Sequence, residues 1–152
     1  MQLFGDYLPT ILLLLGILIS VLLTGIGSAR GGVMIGKAAA ALISEQPEKF
    51  GQSLVLQMMS ASQGLYGFII AFLIFMNLGE DLTLWVSIKC LGAGVVMGLT
   101  GYLTAIQQSM MATAGIQILT KKPEHSTKGV LYSAMIETYA IFAFVISVLI
   151  VI

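Results

Sequence analysis

The stretch LTGIGSARGGVMIGKAAAALISEQPEKFG, residues 23 to 51, returns 76 residues later as LTGYLTAIQQSMMATAGIQILTKKPEHST, residues 99 to 127. Both stretches begin with Leu-Thr-Gly and share a Pro-Glu pair in the same register, without a gap. Apolar runs match by chance through their leucines, but a shared turn at an identical position requires another explanation. Self-similarity of this kind indicates a duplicated structural unit. We therefore predict two tandem helical hairpins, residues 1 to 76 and 77 to 152, related in parallel.

The composition around these repeats is that of a membrane protein. The 152 residues are 58% hydrophobic and 9% charged, with a mean hydropathy of +1.01, so little polar surface is available to face water. Seven basic residues balance seven acidic ones, which leaves no basic face for nucleic acid. The single cysteine, Cys90, excludes an internal disulfide. The first apolar run is too long for a cleavable signal peptide, and we expect it to remain in the protein.

Four apolar segments are long enough to cross a bilayer, since a helical span needs about 20 such residues. They cover roughly residues 8 to 29 (continuing as helix towards 45), 53 to 78, 83 to 119 and 129 to 152. The connections 44 to 52 and 120 to 128 each contain a proline that should end the preceding helix. Most lysines flank these two connections. The positive-inside tendency therefore predicts that both are cytoplasmic and that both termini lie outside the cell membrane.

Small residues follow one face of the first span and, less regularly, of the third. They are Ser28, Gly32, Gly36 and Ala40 in the first span and Gly94, Gly98, Gly101 and Ala105 in the third. Small residues let helix backbones approach closely in lipid. One interpretation is a monomeric bundle packed by these faces. The length of the stripe favours the other, an all-α membrane protein of four transmembrane helices that assembles into a homo-oligomeric ring.

One carboxylate, Glu137, is predicted near the middle of the membrane. It follows Lys128 by about 14 Å along a helix. A charge at mid-bilayer costs about 2.5 to 3.5 kcal/mol, which makes an intramembrane acid a candidate functional group. Under the duplication Glu137 aligns with Ala61, so one hairpin has a carboxylate that the other lacks.

Oxygen-bearing side chains from two other spans are predicted at a similar depth. Ser62, Gln63 and Tyr66 lie on the second span, and Gln108 lies on the third. A small hard cation stripped of water needs about this many oxygen ligands, and a bound Na⁺ would neutralise Glu137. A proton would need the carboxyl group alone and would leave two glutamine amides to be satisfied in hydrocarbon. The comparison favours Na⁺ and leaves H⁺ open.

Structural roles also stay open for these groups. Glu137 could be hydrogen-bonded to Tyr139 or ion-paired with Arg30, because buried charges are normally paired. Gln63 and Gln108 could simply hold helices together.

Four segments together support a family resemblance: GIGSARGGVMIGKAAAALISEQPEKFGQSLVLQ, SQGLYGFIIAFLIFMNLG, AGIQILTKKPEHSTKG and AMIETYAI. They closely resemble the 16-kDa proteolipid, the rotor-ring subunit of V-type ATPases, in its bacterial sodium-transporting form. The resemblance covers essentially the whole chain, with the tandem hairpin, both proline turns and the glutamate of the fourth span in order.

The resemblance implies an ion site residue by residue. In sodium-transporting members the ion is held by oxygens of the second, third and fourth spans, and a tyrosine bonds the glutamate. The matching groups here are Glu137, Ser62, Gln63, Gln108, the backbone carbonyl of Met59 and, as the supporting hydrogen bond, Tyr66. Two positions depart from the family. Ser62 replaces the usual threonine and offers the same hydroxyl, whereas Ser60 replaces an expected proline, so the sequence alone does not free the Met59 carbonyl.

The resemblance also implies partners and a mechanism. Identical copies would form a ring among membrane lipids, with the cytoplasmic loops seated on a central-stalk subunit. A stator subunit would supply an arginine that displaces the ion from Glu137. The chain would not be an enzyme by itself but the membrane subunit of an ATP-driven pump. The alternatives are a proton-translocating ring of the same family and a small cation-coupled secondary transporter.

Overall fold

The computed structural model describes residues 2–79 and 82–152. The α-helices in this part of the chain are α1 (Gln2–Glu45), α2 (Phe50–Met58), α3 (Ser62–Phe75), α4 (Leu84–Lys121) and α5 (Ser126–Val151). Two short 3₁₀ turns, Pro47–Lys49 and Pro123–His125, join α1 to α2 and α4 to α5. The two 3₁₀ turns lie at equivalent points of the two repeats.

The four predicted membrane spans are confirmed. Within the described residues, the helical segments long and apolar enough to cross a membrane are Tyr7–Glu45, Pro47–Phe75, Leu84–Lys121 and Pro123–Val151. The first continues without interruption to Glu45, as the sequence predicts. A chain with these segments is a multi-pass membrane protein, since helices satisfy their own backbone polar groups in lipid.

Proline ends both long helices in the same way. Gln46 and Lys122, the residues directly before Pro47 and Pro123, have ψ angles of 72° and 79°. The proline ring disfavours the helical conformation in the preceding residue and removes a backbone donor. The repeated Pro-Glu pair therefore places the turns of both hairpins at matching positions.

The second span is interrupted at residues 59–61, although the sequence has no proline there to indicate a break. Two backbone amides there bond carbonyls three residues back instead of four, at 3.0 and 3.2 Å. The Gly64 amide donates instead to the Ser28 hydroxyl of α1, at 2.9 Å. Backbone amides in the first turn of a helix have no acceptor within that helix. Helix α1 supplies an acceptor for one such amide of α3.

Helices α1 and α4, here called the inner helices because they contact each other most extensively, lie side by side and parallel, and α2, α3 and α5 are called the outer helices. The Gly94 position has no room for a side chain because the Gly16 backbone lies against it, and Gly31 likewise lies against Ser109. Gly94 and Ser109 each lie two residues beyond the repeat equivalents of Gly16 and Gly31, which are Gly92 and Gln107. A Cβ at Gly16 would also meet Cys90, two residues before the equivalent of Gly16, so the contacts fall on both sides of that equivalent and indicate little axial shift between the hairpins.

The small-residue face predicted on the first span contacts the outer helices of its own hairpin. Ser28 bonds the Gly64 amide, and Gly32 and Gly36 face the side chain of Gln57. The close contact with α4 uses a different row of α1, which includes Gly16, Gly27 and Gly31.

The duplication extends to individual hydrogen bonds. In the first hairpin Gln57 Nε2 donates to the Gly32 carbonyl at 2.8 Å. In the second, Ser133 Oγ donates to the Gln108 carbonyl at 3.1 Å. Adding 76 to the first pair gives the second, so each outer helix is held to its inner helix at the same place. The division of the chain between residues 76 and 77 stays a prediction.

Candidate ion-binding site

Glu137 lies near the middle of α5, about 16 Å from Ser126 and about 21 Å from Val151 along the helix axis. Its side chain is half-buried, and both carboxylate oxygens accept hydrogen bonds. The Tyr66 hydroxyl donates to Oε1 at 2.8 Å, and Gln108 Nε2 donates to Oε2 at 3.3 Å. Both donors are neutral. Among the described residues, no basic group lies within 4.0 Å of this carboxylate.

Two glutamines extend the network from Glu137 into the protein. Gln108 Oε1 accepts a hydrogen bond from Gln63 Nε2, and both glutamine side chains are 0% exposed. A buried amide without a partner costs about 1 to 3 kcal/mol, so this pairing stabilises a polar group in an apolar span. The bond also joins α3 to α4. The two glutamines therefore hold helices together, and Gln108 at the same time bonds the carboxylate.

Ser62 adds a hydroxyl and a backbone carbonyl to the same network. Its Oγ lies 3.3 Å from Gln63 Oε1 and 3.4 Å from the Met59 carbonyl oxygen. The hydroxyl has one proton and donates to one of them at a time. No backbone amide of the described residues donates to the Met59 carbonyl, because the helix is interrupted there. The carbonyl therefore lacks a backbone donor although Ser60 stands in place of the expected proline.

The two structural explanations that the sequence leaves open for Glu137 are wrong. Arg30 Nη1 donates to the Tyr102 hydroxyl at 2.7 Å, and its guanidinium carbon lies 5.9 Å from the centre of that ring. Tyr139 is 63% exposed and packs edge-on against Phe142. The tyrosine that bonds Glu137 is Tyr66, which also lies 5.1 Å from the ring of Phe144.

The structure thus brings together all six groups predicted from the sequence. They are Glu137, Ser62, Gln63, Gln108, Tyr66 and the Met59 carbonyl. The described residues contain no group of three or more His, Cys, Asp or Glu side chains that could hold a metal ion. One carboxylate among neutral oxygens instead suits a hard cation of low charge.

Two positioning residues were not predicted. Ser133 fixes the backbone of Gln108, and Ser28 fixes the first turn of α3 through Gly64. Ser133 lies one helical turn before Glu137, which places its hydroxyl on the same face of α5. That spacing could have identified it.

The fold and the site together define a duplicated four-span membrane protein with a polar network around the middle of its last helix, α5. The family model for the C subunit of ATP synthase matches residues 15–74 and matches again at residues 91–150. The second match is the first displaced by 76 residues, in agreement with the internal repeat. The chain belongs to this family.

Curated relatives agree with this assignment. V-type sodium ATPase subunit K of Enterococcus hirae is 52% identical over 151 residues, 96% of this chain and 97% of that protein. A-type ATP synthase subunit K of Methanocaldococcus jannaschii is 34% identical over 93% of this chain and 62% of that protein. The 16 kDa proteolipid of the human V-type proton ATPase is 25% identical over 83% of this chain and 81% of that protein. The resemblance to V-type ATPase proteolipids is confirmed, and such a chain is one component of an ATPase rather than an enzyme by itself.

Proposed function

We propose that this chain is the ion-carrying rotor-ring subunit of a V-type ATPase, binding one Na⁺ per copy at Glu137. The observation that supports this most directly is the surroundings of the carboxylate. It lies at mid-span among neutral donors, and among the described residues no basic side chain is close enough to pair with it. An ionised carboxylate in lipid needs a positive partner. That partner has to arrive from outside the chain, as Na⁺ or H⁺.

The neighbouring oxygens favour Na⁺ over H⁺. A proton on Glu137 would need no ligand beyond the carboxylate, whereas Na⁺ needs several oxygens in place of water. The Ser62 hydroxyl, the Met59 carbonyl and the amide oxygens of Gln63 and Gln108 are linked to one another near the carboxylate. The relative whose name includes sodium is 52% identical, against 25% for the human proton ATPase proteolipid.

The proposed cycle uses neutralisation to carry the ion through lipid. A loaded Glu137 has no net charge, and the Tyr66 hydroxyl keeps its carboxylate in position. As ATP hydrolysis turns a ring of identical copies, each loaded site passes a stator subunit whose arginine displaces the ion. The turns at Pro47–Lys49 and Pro123–His125 face the cytoplasm and seat on a central-stalk subunit, while both termini lie outside.

Carbodiimide labelling of purified rings tests the site and its ion together. The reagent attacks a protonated carboxyl group, so we expect labelling of Glu137 at neutral pH in the absence of Na⁺ and protection by millimolar Na⁺. Glu124, in the exposed turn before α5, is the internal control and should react equally with and without Na⁺. Equal labelling of Glu137 with and without Na⁺ would mean that the site binds H⁺ and not Na⁺. Native mass spectrometry separates both from a secondary transporter, which would appear as a monomer or dimer instead of a ring.

A further inference from the structure

The outer helices of the two hairpins bury equivalent apolar side chains to different extents. Leu56 of α2 and Ile70 of α3 are 0% exposed. Their repeat equivalents on α5, Tyr132 and Ile146, are 55% and 47% exposed in one copy. The first hairpin therefore has a face that the second hairpin covers, and the second hairpin presents the equivalent face of α5 uncovered.

The covered face of the first hairpin packs against the second hairpin at two heights. Closer to the proline turns, Leu56 lies so near Gly115 that a Cβ there would be 2.8 Å from its Cδ2. Closer to the chain termini, the ring centres of Tyr66 and Phe144 are 5.1 Å apart. Leu56 shares one buried cluster with Ala112, Ile116 and Leu119, and Tyr66 and Ile70 share another with Ala93, Met97, Phe144 and Val148.

The first hairpin has two equivalent spaces, and in one copy both are open grooves. The turn-side groove has a volume of about 180 Å³ and is lined by residues that include Gly36, Ala40 and Ile43. The terminus-side groove has a volume of about 240 Å³ and is lined by residues that include Ile17, Val21, Phe68 and Phe72. The repeat equivalents of these residues are the members of the two buried clusters that the second hairpin contributes.

A second copy of the chain can fill both grooves in the assembled ring. The two hairpins are related with little axial shift, so the same relation applied again leads to a closed ring and not to a filament. The contact between hairpins within one copy then recurs between the second hairpin of one copy and the first hairpin of the next. This brings the uncovered face of α5 to the open grooves.

We infer that α5 of one copy fills both grooves of the next copy, with Tyr132 in the turn-side groove and Phe142 against Phe68 in the terminus-side groove. The inference rests on the ring assembly proposed above. Tyr132 is the repeat equivalent of Leu56, and the two phenylalanines are the equivalents of the aromatic pair within one copy. All three side chains are more than half exposed in one copy, so they are free to enter this contact.

The sizes of the side chains agree with this contact. Tyr132 is larger than its repeat equivalent, and Ala40 in the groove is smaller than Ile116 at the equivalent point of the second hairpin. Ala39 has a methyl group that Gly115 lacks, so the space for the incoming ring lies towards Ala40. Side chains in protein interiors interdigitate at close packing, which requires such compensation. A lipid acyl chain, the other apolar occupant available in a membrane, would not require it.

Exchanging side-chain sizes between copies tests the turn-side groove. Tyr132→Leu leaves the groove partly empty and Ala40→Ile narrows it, so each should lower the temperature at which rings release single copies, followed by native mass spectrometry. The double variant has the leucine and isoleucine of the contact within one copy, and it should dissociate closer to the unmodified temperature than either single variant. Tyr132→Phe keeps the aromatic ring and is the matched control, with no shift expected. Additive shifts, or no shift for Tyr132→Leu, would overturn the inference and favour a lipid in the groove.

A double-mutant cycle tests the terminus-side groove. Phe142→Ala and Phe68→Ala each remove one ring of the predicted pair. If the two rings contact each other between copies, the double variant should lower the dissociation temperature by less than the sum of the single shifts. Phe68→Ala with Trp85→Ala, at an exposed position near the start of α4, is the matched control and should be additive. Additive shifts for Phe142 and Phe68 would contradict their contact.

Disulfide formation tests the predicted register of the two copies without weakening their packing. A Cβ at Gly27 would lie 3.3 Å from the Ala105 Cβ within one copy, so the repeat places Leu103 beside Ala29 of the next copy. In a background with the native cysteine replaced by serine, Leu103→Cys with Ala29→Cys should give a ladder of covalent multimers on oxidation. Leu103→Cys with Leu15→Cys, about 21 Å away along α1, should stay monomeric on a denaturing gel.

The outcomes separate this inference from the proposed function. Additive variants and no ladder in a protein that still forms rings overturn the inference and leave the rotor assignment standing. Absence of any ring in the unmodified protein overturns the rotor assignment itself.

Discussion

The two hairpins share a backbone arrangement and differ in the side chains that they carry near the middle of their helices. The second has Gln108 and Glu137 where the first has Gly32 and Ala61. Both nevertheless keep the side-chain bond from the outer helix to the inner-helix carbonyl, through Gln57 in one and a serine in the other. The contacts that define the hairpin are thus independent of the side chains that could hold an ion. A duplicated fold can therefore lose one site without losing its shape.

The loss of one carboxylate has an energetic consequence for the proposed pump. Moving one charge against 100 mV requires about 2.3 kcal/mol. With Ala61 in the first hairpin, a four-helix copy carries one ion instead of two, so fewer charges cross in each turn of the ring. The same energy from ATP can then work against a steeper gradient, which suits a pump better than a synthase.

The largest expected effect comes from removing the carboxylate of the second hairpin. Glu137→Gln keeps the shape of the side chain and an oxygen that accepts from Tyr66, but it has no charge for a cation to neutralise. We expect Na⁺ transport in reconstituted vesicles to fall to background while rings still assemble. Tyr132→Phe, at a position of the same helix that is exposed in one copy and lies outside the network, should pump normally. Normal transport by Glu137→Gln would end the proposal that this residue carries the ion.

The next test moves the carboxylate to the first hairpin. Ala61→Glu in the Glu137→Gln background should leave Na⁺ binding at background, measured with radioactive sodium on purified rings. The reason is that Gly32 offers no amide there, and the positions equivalent to Gln63 and Tyr66 are Tyr139 and Phe142. Recovery of one bound ion per copy would mean that the backbone arrangement and a carboxylate are sufficient for Na⁺ binding. The two hairpins would then not differ in their ability to hold the ion.

A smaller effect is expected from removing the side-chain amide of Gln108, which links Gln63 to Glu137. Gln108→Leu removes a donor to Glu137 and the acceptor of Gln63. We expect the Na⁺ concentration that half-protects Glu137 from carbodiimide to rise by about 10- to 100-fold, as when groups that orient metal ligands are lost. Gln117→Leu, on the exposed face of α4, should leave that concentration unchanged. An unchanged value for Gln108→Leu would remove this glutamine from the site.

Much of the fold could be predicted because its determinants are local in sequence. The repeated Pro-Glu pair marks the turns of both hairpins, and an apolar run of sufficient length identifies each span. The side chains of the site could be predicted from depth, since residues counted from each turn give a height along the helix, whereas the Met59 carbonyl was implied only by the family resemblance. Glu137, Gln63 and Gln108 meet as that count requires.

The remaining features depend on which helix faces which, and sequence periodicity does not give that. The small-residue face with Gly32 and Gly36 meets Gln57 of its own hairpin, although an equally small row contacts α4. The interruption at residues 59–61 likewise accompanies a bond between the Gly64 amide and Ser28, 36 residues apart in sequence. A proline would have indicated that interruption, and here there is none.

The smallest expected effect concerns this interruption. Ser60→Pro should cost well under the ~3 kcal/mol of a proline inside a helix, because no backbone carbonyl of the described residues accepts from the Ser60 amide. Ile69→Pro, in the uninterrupted helix α3, is the control and should cost the full amount. The temperature of ring dissociation measures both. Since the Met59 carbonyl already lacks a backbone donor, Ser60→Pro should also leave the half-protecting Na⁺ concentration unchanged. A marked gain in Na⁺ affinity would mean that, with serine at position 60, the Met59 carbonyl is not yet available to the ion. The interruption at residues 59–61 would then not be enough to distinguish the backbone of this hairpin from that of the other.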